Sequence, residues 1–188
     1  MTDTINKHPS AVEKVIRERR AVKNDYNDKR VTEEVVRDLL EKSIWAPTHG
    51  LRQPWNFIFI DKENLPDFAK KVAATYPEER QQNREDYMNI PNAVLIVTME
   101  EPEKQKQWEE NYGAVATMIQ NFWLLAWELK LGVVWKTNPH MFDPKMKDIL
   151  NIPDNQKIVG FIHLGYFDEA PEPRERLSID DKFSTYQA

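Results

Sequence analysis

The feature that most constrains the fold is a long helical pattern from about Gln107 to Leu131, which no proline or turn cluster interrupts. Its apolar residues cover most of the helix circumference instead of one narrow stripe. They are Tyr112, Val115, Met118, Ile119, Phe122, Trp123, Leu125, Ala126 and Leu129. A soluble chain of 188 residues rarely buries such a helix by itself. The pattern therefore predicts a helix that packs on more than one side, including against a second copy of the chain, and we expect Gly132 to end it.

Shorter helical patterns lie on both sides of this segment. Ser10 and Glu13 have capping-box spacing and predict a helix from about Ala11 to Arg20. Thr32 is the expected N-cap of a second helix, which Pro47 stops. Further helices are predicted near residues 66–75 and from residues 143–144, whereas the charged residues that follow 75 are expected to be irregular.

Four short, nearly continuous apolar runs predict buried strands. They are Trp55 to Ile60, Ala93 to Met99, Val133 to Trp135 and Ile158 to Leu164. Because strands alternate with helices, the pattern favours a mixed α/β or α+β layer. The length predicts one domain over residues 1–188, with a flexible start at 1–9 and an extended tail from about 170 to 188.

The composition excludes several functional classes. A net charge of −5 provides no basic surface for nucleic acid or an anionic membrane, and no long apolar segment predicts a membrane span. The chain has no cysteine, which excludes disulfides, thiolate zinc sites and cysteine nucleophiles and favours the cytoplasm. His140 and His163 have no ligand-type spacing to a carboxylate or another histidine, so we expect no metal site.

The five glycines form neither a dinucleotide fingerprint nor a phosphate loop, so side chains would have to hold any nucleotide. Arg19, Arg20 and Lys23 are candidates, because guanidinium groups contact phosphate with two hydrogen bonds and lysine adds charge. The helix dipole offers another explanation, since it favours cations at a helix C-terminus by ~0.3 to 1 kcal/mol. Spacing alone leaves both interpretations open.

Several motifs resemble the FMN-dependent nitroreductase family. Residues 19–23 (Arg-Arg-Ala-Val-Lys) are similar to its opening signature, and residues 46–55 (Ala-Pro-Thr-His-Gly-Leu-Arg-Gln-Pro-Trp) to its second motif. Residues 120–126, 131–135 and 158–166 resemble its dimer-core helix and the strands that follow. The resemblance extends from about Val15 to Arg174 and implies a three-layer α+β fold, in which helices flank a central mixed β-sheet. It also implies a long dimer-core helix and an extended C-terminal arm.

The resemblance also implies a cofactor site. In the family, the basic residues of the first motif hold the FMN phosphate and ribityl chain, and the second motif meets the flavin from the partner subunit. The small, minimal members are the most similar, because they carry Ala-Pro-x-His and a Trp-(Arg/Lys)-(Ser/Thr) segment beside the flavin. The implied cofactor-binding residues are Arg19, Arg20, Ala21, Lys23, Trp45, Pro47, Thr48, His49, Gln53, Trp135, Lys136 and Thr137.

Three departures from the family pattern bear on this site. Ala21 stands where a serine is common, and Leu51 where larger members place an asparagine. The tail offers Arg174 and Arg176 in place of a Lys-x-Arg phosphate clamp. Trp135 and His49 also have interpretations without a cofactor: Trp135 as a core packing residue and His49 as an exposed turn residue.

The implied activity is ping-pong reduction of nitroaromatics, quinones or similar small electron-poor acceptors, with NADH or NADPH as hydride donor and two FMN sites shared in a homodimer. Because a flavin carries the redox chemistry, no catalytic acid or base is assigned. Lys23 is the candidate for the N1 to O2 edge of the ring. A flavin-binding carrier or sensor without turnover is one alternative, and an unrelated α/β interaction domain with accidental matches is another.

Overall fold

The computed structural model describes residues 10–187, and the flexible start expected at 1–9 lies outside the described residues. Six helices and four strands alternate along this part of the chain. They are α1 Ala11–Glu18, α2 Glu33–Ser43, β1 Trp55–Ile60, α3 Leu65–Ala73, α4 Glu78–Met88, β2 Ala93–Glu100, α5 Gln105–Glu128, β3 Leu131–Lys136, α6 Lys145–Leu150 and β4 Gln156–Tyr166. Short 3₁₀ turns occur at His49–Leu51, Pro139–Phe142 and Asp180–Lys182.

Both predicted N-caps are confirmed. The Ser10 hydroxyl accepts a hydrogen bond from the Glu13 amide at 3.1 Å, and the Thr32 hydroxyl accepts one from the Val35 amide at 3.5 Å. Helix α1 ends at Glu18 instead of Arg20, because the backbone of Arg19 is extended (φ −54°, ψ 132°). The two arginines of the first motif therefore follow the helix and do not form its last turn.

The four strands form one sheet in the order β1-β2-β4-β3, and each neighbouring pair is antiparallel. In the described residues, the one parallel pairing is an isolated bridge between Ala21 and Val133. This bridge brings the segment after α1 alongside the edge strand β3. The sheet therefore places the first motif next to the strand that carries Trp135.

Helices cover both faces of the sheet, which confirms the three-layer α+β fold. On one face, α2 and α5 bury Leu39, Val115 and Phe122 against the strands. On the other face, α3 and α6 bury Phe68 and Met146 against them. Successive residues of β2 alternate between these two cores, as a strand that is buried on both sides requires.

Helix α5 is 24 residues long and contacts α1, α2, β2 and β3 within one protomer. Trp123, Leu124 and Leu125 remain only half-buried on it, and Leu129 is exposed. The expectation that Gly132 ends the helix is wrong, because Lys130 adopts the left-handed conformation (φ 54°) and strand β3 has begun by Leu131. Gly132 instead allows Val22 to approach, since a Cβ there would clash with the Val22 side chain. Within residues 10–187, no helix combines the length and apolar character that spanning a membrane requires.

The prediction of an irregular segment between α3 and β2 is wrong, because Glu78–Met88 forms helix α4. The helix carries almost no amphipathic pattern, and Met88 is its one fully buried residue. Contacts of Tyr87 with His163 of β4 and Lys136 of β3, described below, stabilise it where the local pattern does not.

The C-terminal segment forms an extended arm. Every residue from 168 to 187 is exposed, and a 3₁₀ turn at Asp180–Lys182 is its only regular structure. The arm is not purely polar, since Leu177, Ile179, Phe183 and Tyr186 are all exposed on it. Within one protomer these apolar side chains have no core to enter.

Candidate functional site

The first motif lies where α1 meets α5. The Arg19 guanidinium lies 4.2 Å from the centre of the Trp123 ring, and the Trp123 indole donates a hydrogen bond to the Arg20 carbonyl at 3.2 Å. One Arg20 nitrogen donates to the carbonyls of Arg17, Glu18 and Arg19 at 2.6, 2.8 and 3.0 Å. Arg20 therefore caps the C-terminus of α1, as the helix-dipole interpretation predicts.

Positive charge remains uncompensated at this helix end. Burial lowers the pKa of the Arg19 guanidinium, and the nearby charges of Arg176 and Arg20 lower it further. In residues 10–187, the Nε atoms of Arg19 and Arg20 are buried without a hydrogen-bond acceptor. No described carboxylate lies within 4.0 Å of a side-chain nitrogen of these three arginines. The cluster has the charge and the free donors that an anion requires.

The chain then continues along the sheet edge. The Val22 amide donates to the Val133 carbonyl at 3.3 Å, next to the bridge between Ala21 and Val133. Because this bridge is parallel, the chain passes through Lys23 in the same direction as β3 runs toward Trp135. Lys23 is exposed. The first motif and the end of β3 therefore lie on the same edge of the molecule.

The residues Trp135, Lys136 and Thr137 do not share one face. The Trp135 indole donates to the Val159 carbonyl at 3.1 Å and covers Gly160, where any Cβ would clash with the ring. Lys136 points to the opposite face, and its Nζ lies 5.1 Å from the centre of the Tyr87 ring. Thr137 is exposed beyond the strand. The structure thus gives Trp135 a packing role. Because Trp135 and Lys136 point to opposite faces, a ligand on one face can contact the side chains of only part of this motif.

The second motif forms an exposed loop after α2. Trp45 is 88% exposed, and Pro47, His49 and Gln53 are exposed as well. The Thr48 hydroxyl accepts a hydrogen bond from the Gln53 amide at 3.2 Å and closes the loop. Leu51 and Gln53 have φ values of 53° and 49°, which are unfavourable for side chains with a Cβ. Such a conformation persists where surrounding contacts hold it, and strained loops of this kind are common at functional sites.

An ion pair with α5 holds this loop, and the sequence did not reveal it. The Arg52 guanidinium donates to the Glu110 carboxylate at 2.6 Å and to the amide oxygen of Asn111 at 3.1 Å. The hydrogen bond from Arg52 is the main cause that lowers the pKa of Glu110, and the charge of His49, 3.8 Å away, contributes. Glu110 lies in the first turns of α5, far from the loop in the sequence. Only the tertiary fold brings it to the loop, although Arg52 lies inside the recognised motif.

The two motifs do not meet within one chain. The first contacts α5 at Trp123, and the second contacts it at Glu110. Thirteen residues separate these positions, which corresponds to about 20 Å along the helix axis. A ligand that touches both motifs of one chain would have to span this distance.

Two buried histidines lie under α4, away from both motifs. The Tyr76 hydroxyl and the His140 Nδ1 are 2.9 Å apart, and His163 packs against Tyr87 with ring centres 5.6 Å apart. Burial lowers the pKa of His140 to about 4 and that of His163 to about 3, so both rings are neutral at neutral pH. No group of three or more potential metal ligands occurs among the described side chains.

Comparison with known proteins finds relatives along almost the whole chain. The family model of the nitroreductase family matches residues 16–166. YfhC of Bacillus subtilis (strain 168), which carries a provisional name as an NAD(P)H nitroreductase, is 32% identical over 97% of this chain and 97% of its own length. A crystal structure of a nitroreductase-like family protein from Bacillus cereus has a TM-score of 0.89 and 34% identity, covering 95% of this chain and 97% of that one.

A more distant structure, from Desulfovibrio desulfuricans, contains FMN and carries a provisional name as a nitroreductase. Its TM-score is 0.76 at 21% identity, and it covers 96% of this chain and 99% of its own, which shows a shared fold. The family match covers most of the chain, including both motifs and all four strands. The chain belongs to the nitroreductase family.

Proposed function

We propose that this protein is an FMN-dependent oxidoreductase of the cytoplasm that uses NADH or NADPH to reduce nitroaromatics, quinones or similar electron-poor acceptors. The observation that carries the proposal is the arginine cluster at the end of α1, which has free donors and no carboxylate partner in the described residues. It lies in the motif through which the family holds the FMN phosphate. The provisional name of the Bacillus subtilis relative and the FMN in the Desulfovibrio structure support the same chemistry.

The residues at this cluster fit the phosphate of FMN. Arg19, Arg20 and Arg176 bring three guanidinium groups close together, and two of their Nε atoms lack acceptors. A phosphate dianion would neutralise this charge and accept hydrogen bonds from the free donors. Arg176, which the sequence offered only as a neighbour of a missing clamp, is thus assigned to the phosphate site.

The remaining residues are assigned to the ring and its surroundings. Lys23, at the sheet edge, supplies a cation for the polar edge of the flavin, and the side-chain amide of Gln53 can both donate and accept a hydrogen bond there. Thr48 fixes the backbone of Gln53 through their hydrogen bond, and Trp135 forms a rigid wall on the sheet. When bound, FMN supplies the two-electron chemistry, and these residues bind it, orient it and exclude water. No side chain is assigned as a catalytic acid or base.

We further propose a homodimer with two shared sites. The separation of the two motifs by about 20 Å along α5 supports it, because the family's cofactor contacts both. An apolar groove of about 360 Å³ between α1 and α5, lined by Val12, Val15, Leu124 and Leu125, gives a second chain a surface to cover. In such a pair Arg19, Arg20 and Lys23 of one chain face the loop from Pro47 to Gln53 of the other.

An absorption spectrum of the purified protein tests the proposed function. We expect flavin bands near their usual visible wavelengths, release of FMN on heating, and bleaching by anaerobic NADPH or NADH. A protein that stays coloured but is not bleached is a carrier or sensor. A colourless protein that also fails to bind added FMN contradicts the proposal. Initial rates at varied concentrations of both substrates add a kinetic test, since substrates that use one site in turn give parallel double-reciprocal lines.

A further inference from the structure

Helix α4 and strand β3 place a cluster of cations over two tyrosine rings. Of these cations, Lys136 is also one of the residues that the family resemblance implies for FMN. The Arg84 guanidinium lies 5.6 Å from the Tyr76 ring centre and 5.4 Å from that of Tyr87. Arg80 lies 5.8 Å from Tyr76, and the Nζ of Lys136 lies 5.1 Å from Tyr87. Arg80 and Arg84 are one helical turn apart and therefore lie on the same face of α4.

This cluster has no anionic partner within residues 10–187. Neither arginine forms a salt bridge, and neither does Lys136. The Asp86 carboxylate of α4 accepts a hydrogen bond from the Gln82 amide instead. Arg84 donates to the neutral Asn83 amide oxygen, and its Nε has no acceptor. Such a concentration of unpaired positive charge is unexpected in a protein with a net charge of −5.

The layer beneath the cluster adds no compensating charge and holds the rings in place. The Tyr76 hydroxyl and the His140 Nδ1 are 2.9 Å apart, and the Tyr87 hydroxyl donates to the Asn138 side chain at 3.4 Å. Burial lowers the pKa values of His140 and His163, and the positive charges of Arg84 and Lys136 lower them further. Both histidines are therefore neutral, and the tyrosine rings form a fixed, half-buried platform.

The cluster lies beside the end of β3, on the opposite face of the sheet from Trp135. Lys136 belongs to the cluster and directly follows Trp135 in β3, and Thr137 follows at the strand end. Because the cations lie over the ring faces, the cations and not the rings are available to a substrate, and they suit an anionic group that reaches this surface.

We propose that Arg80, Arg84 and Lys136 bind the anionic group of a substrate, either the carboxylate of an aromatic electron acceptor or the 2′-phosphate of NADPH. The proposal rests on the proposed function, since it concerns the substrates of the same reaction. It adds a substrate class: acceptors or donors that carry negative charge are preferred over neutral ones of the same shape.

Equilibrium binding to the oxidised holoenzyme, measured by calorimetry, tests the proposal without turnover. The probes are 4-nitrobenzoate against neutral 4-nitrobenzyl alcohol, and adenosine 2′,5′-bisphosphate against AMP. The variants are Arg84→Met and the double variant Arg80→Met/Arg84→Met. Lys70→Met removes an exposed cation of α3 without a salt bridge and serves as the matched control. The thermal midpoint and FMN content of each variant establish that it folds and is loaded.

We expect the double variant to lose about tenfold or more in affinity for one anionic probe relative to its neutral or singly phosphorylated counterpart. Loss for 4-nitrobenzoate assigns the cluster to the acceptor, and loss for the bisphosphate assigns it to NADPH. The control variant keeps the wild-type ratios. If both ratios stay unchanged in the double variant, or the wild type does not discriminate between the paired probes, the proposal is wrong. A protein without FMN would contradict the proposed function instead, and the spectrum detects that independently.

Discussion

At the residue scale, Arg20 shows how one side chain can satisfy two interpretations of a motif. Its terminal nitrogen caps α1 through three carbonyls, and its Nε remains without an acceptor in the described structure. A helix cap uses one end of the guanidinium, so another edge can still contact a phosphate. The cap predicted from the helix dipole and the phosphate contact implied by the resemblance are therefore compatible.

Charge reversal at this position separates the two roles. We expect Arg20→Glu to weaken FMN binding by about 1.5 to 3 kcal/mol or more, because a charge-assisted hydrogen bond is lost and the new carboxylate repels phosphate. FMN titration followed by flavin fluorescence measures this effect. Lys14→Glu reverses an exposed charge on α1, the helix that Arg20 caps, and is the control. Equal FMN affinity in the two variants would mean that Arg20 acts only as a helix cap.

The buried histidines predict a pH dependence of stability. Their pKa values in the folded protein, about 4 for His140 and about 3 for His163, lie below the ordinary value of 6.5. At pH values between the folded and the ordinary pKa, the unfolded chain binds more protons than the folded chain. The free energy of unfolding therefore falls as the pH drops below 6.5. Between pH 7 and pH 5 each histidine contributes a loss on the order of 2 kcal/mol.

Urea unfolding of the wild type and of His163→Gln at the two pH values checks this prediction. We expect the His163→Gln variant to have a lower free energy of unfolding than the wild type at pH 7, but to lose less of it between pH 7 and pH 5. Equal losses in both proteins would show that His163 does not remain neutral in the folded state.

At the scale of elements, the sequence predicted those whose signal is local. Both caps, at Ser10 and Thr32, and all four apolar strands are present where the pattern predicts them. The pattern does not predict helix α4, because contacts of Tyr87 with His163 and Lys136 of the sheet stabilise it and an apolar stripe does not. The end of α5 was misplaced because Lys130 adopts a left-handed conformation for which glycine is the usual residue.

The same distinction applies to the site. The motif residues Arg19, Arg20 and Gln53 could be named from the sequence, since their order along the chain carries the resemblance. The Glu110 anchor could not, because it depends on how the loop after α2 packs on α5. The opposite directions of Trp135 and Lys136 follow from strand alternation, but only once β3 has been placed between two cores.

The loop anchor leads to a prediction for FMN binding. We expect Arg52→Met to lower FMN affinity on the order of tenfold, as loss of a supporting partner commonly does at binding sites, because the loop relaxes from its left-handed backbone. Lys106→Met removes a more exposed cation 3.8 Å from the same carboxylate and should leave the affinity near that of the wild type. If Arg52→Met binds FMN as tightly as Lys106→Met does, the anchor has no part in cofactor binding.

At the scale of the whole molecule, unpartnered surface is concentrated where a second chain would lie. The groove between α1 and α5 is apolar, and the arm exposes Leu177, Ile179, Phe183 and Tyr186. The exposed loop with Trp45 lies far along α5 from the arginine cluster. The proposed two-fold pair would bring the loop of each chain to the cluster of the other and would cover this surface.

Complementation between two defective variants tests this shared site most directly. Arg20→Glu spoils the phosphate half of each site, and Arg52→Glu spoils the loop half by placing a carboxylate against Glu110. Each homodimer is defective in both of its sites, whereas a mixed dimer has one site with both defects and one with neither. Mixing the denatured variants, refolding them and isolating the heterodimer through two different affinity tags should restore about half of the wild-type FMN content and NADPH oxidation per dimer. Heterodimers that form but bind no FMN, or a monomer that binds FMN and turns over, would contradict a site built from two chains.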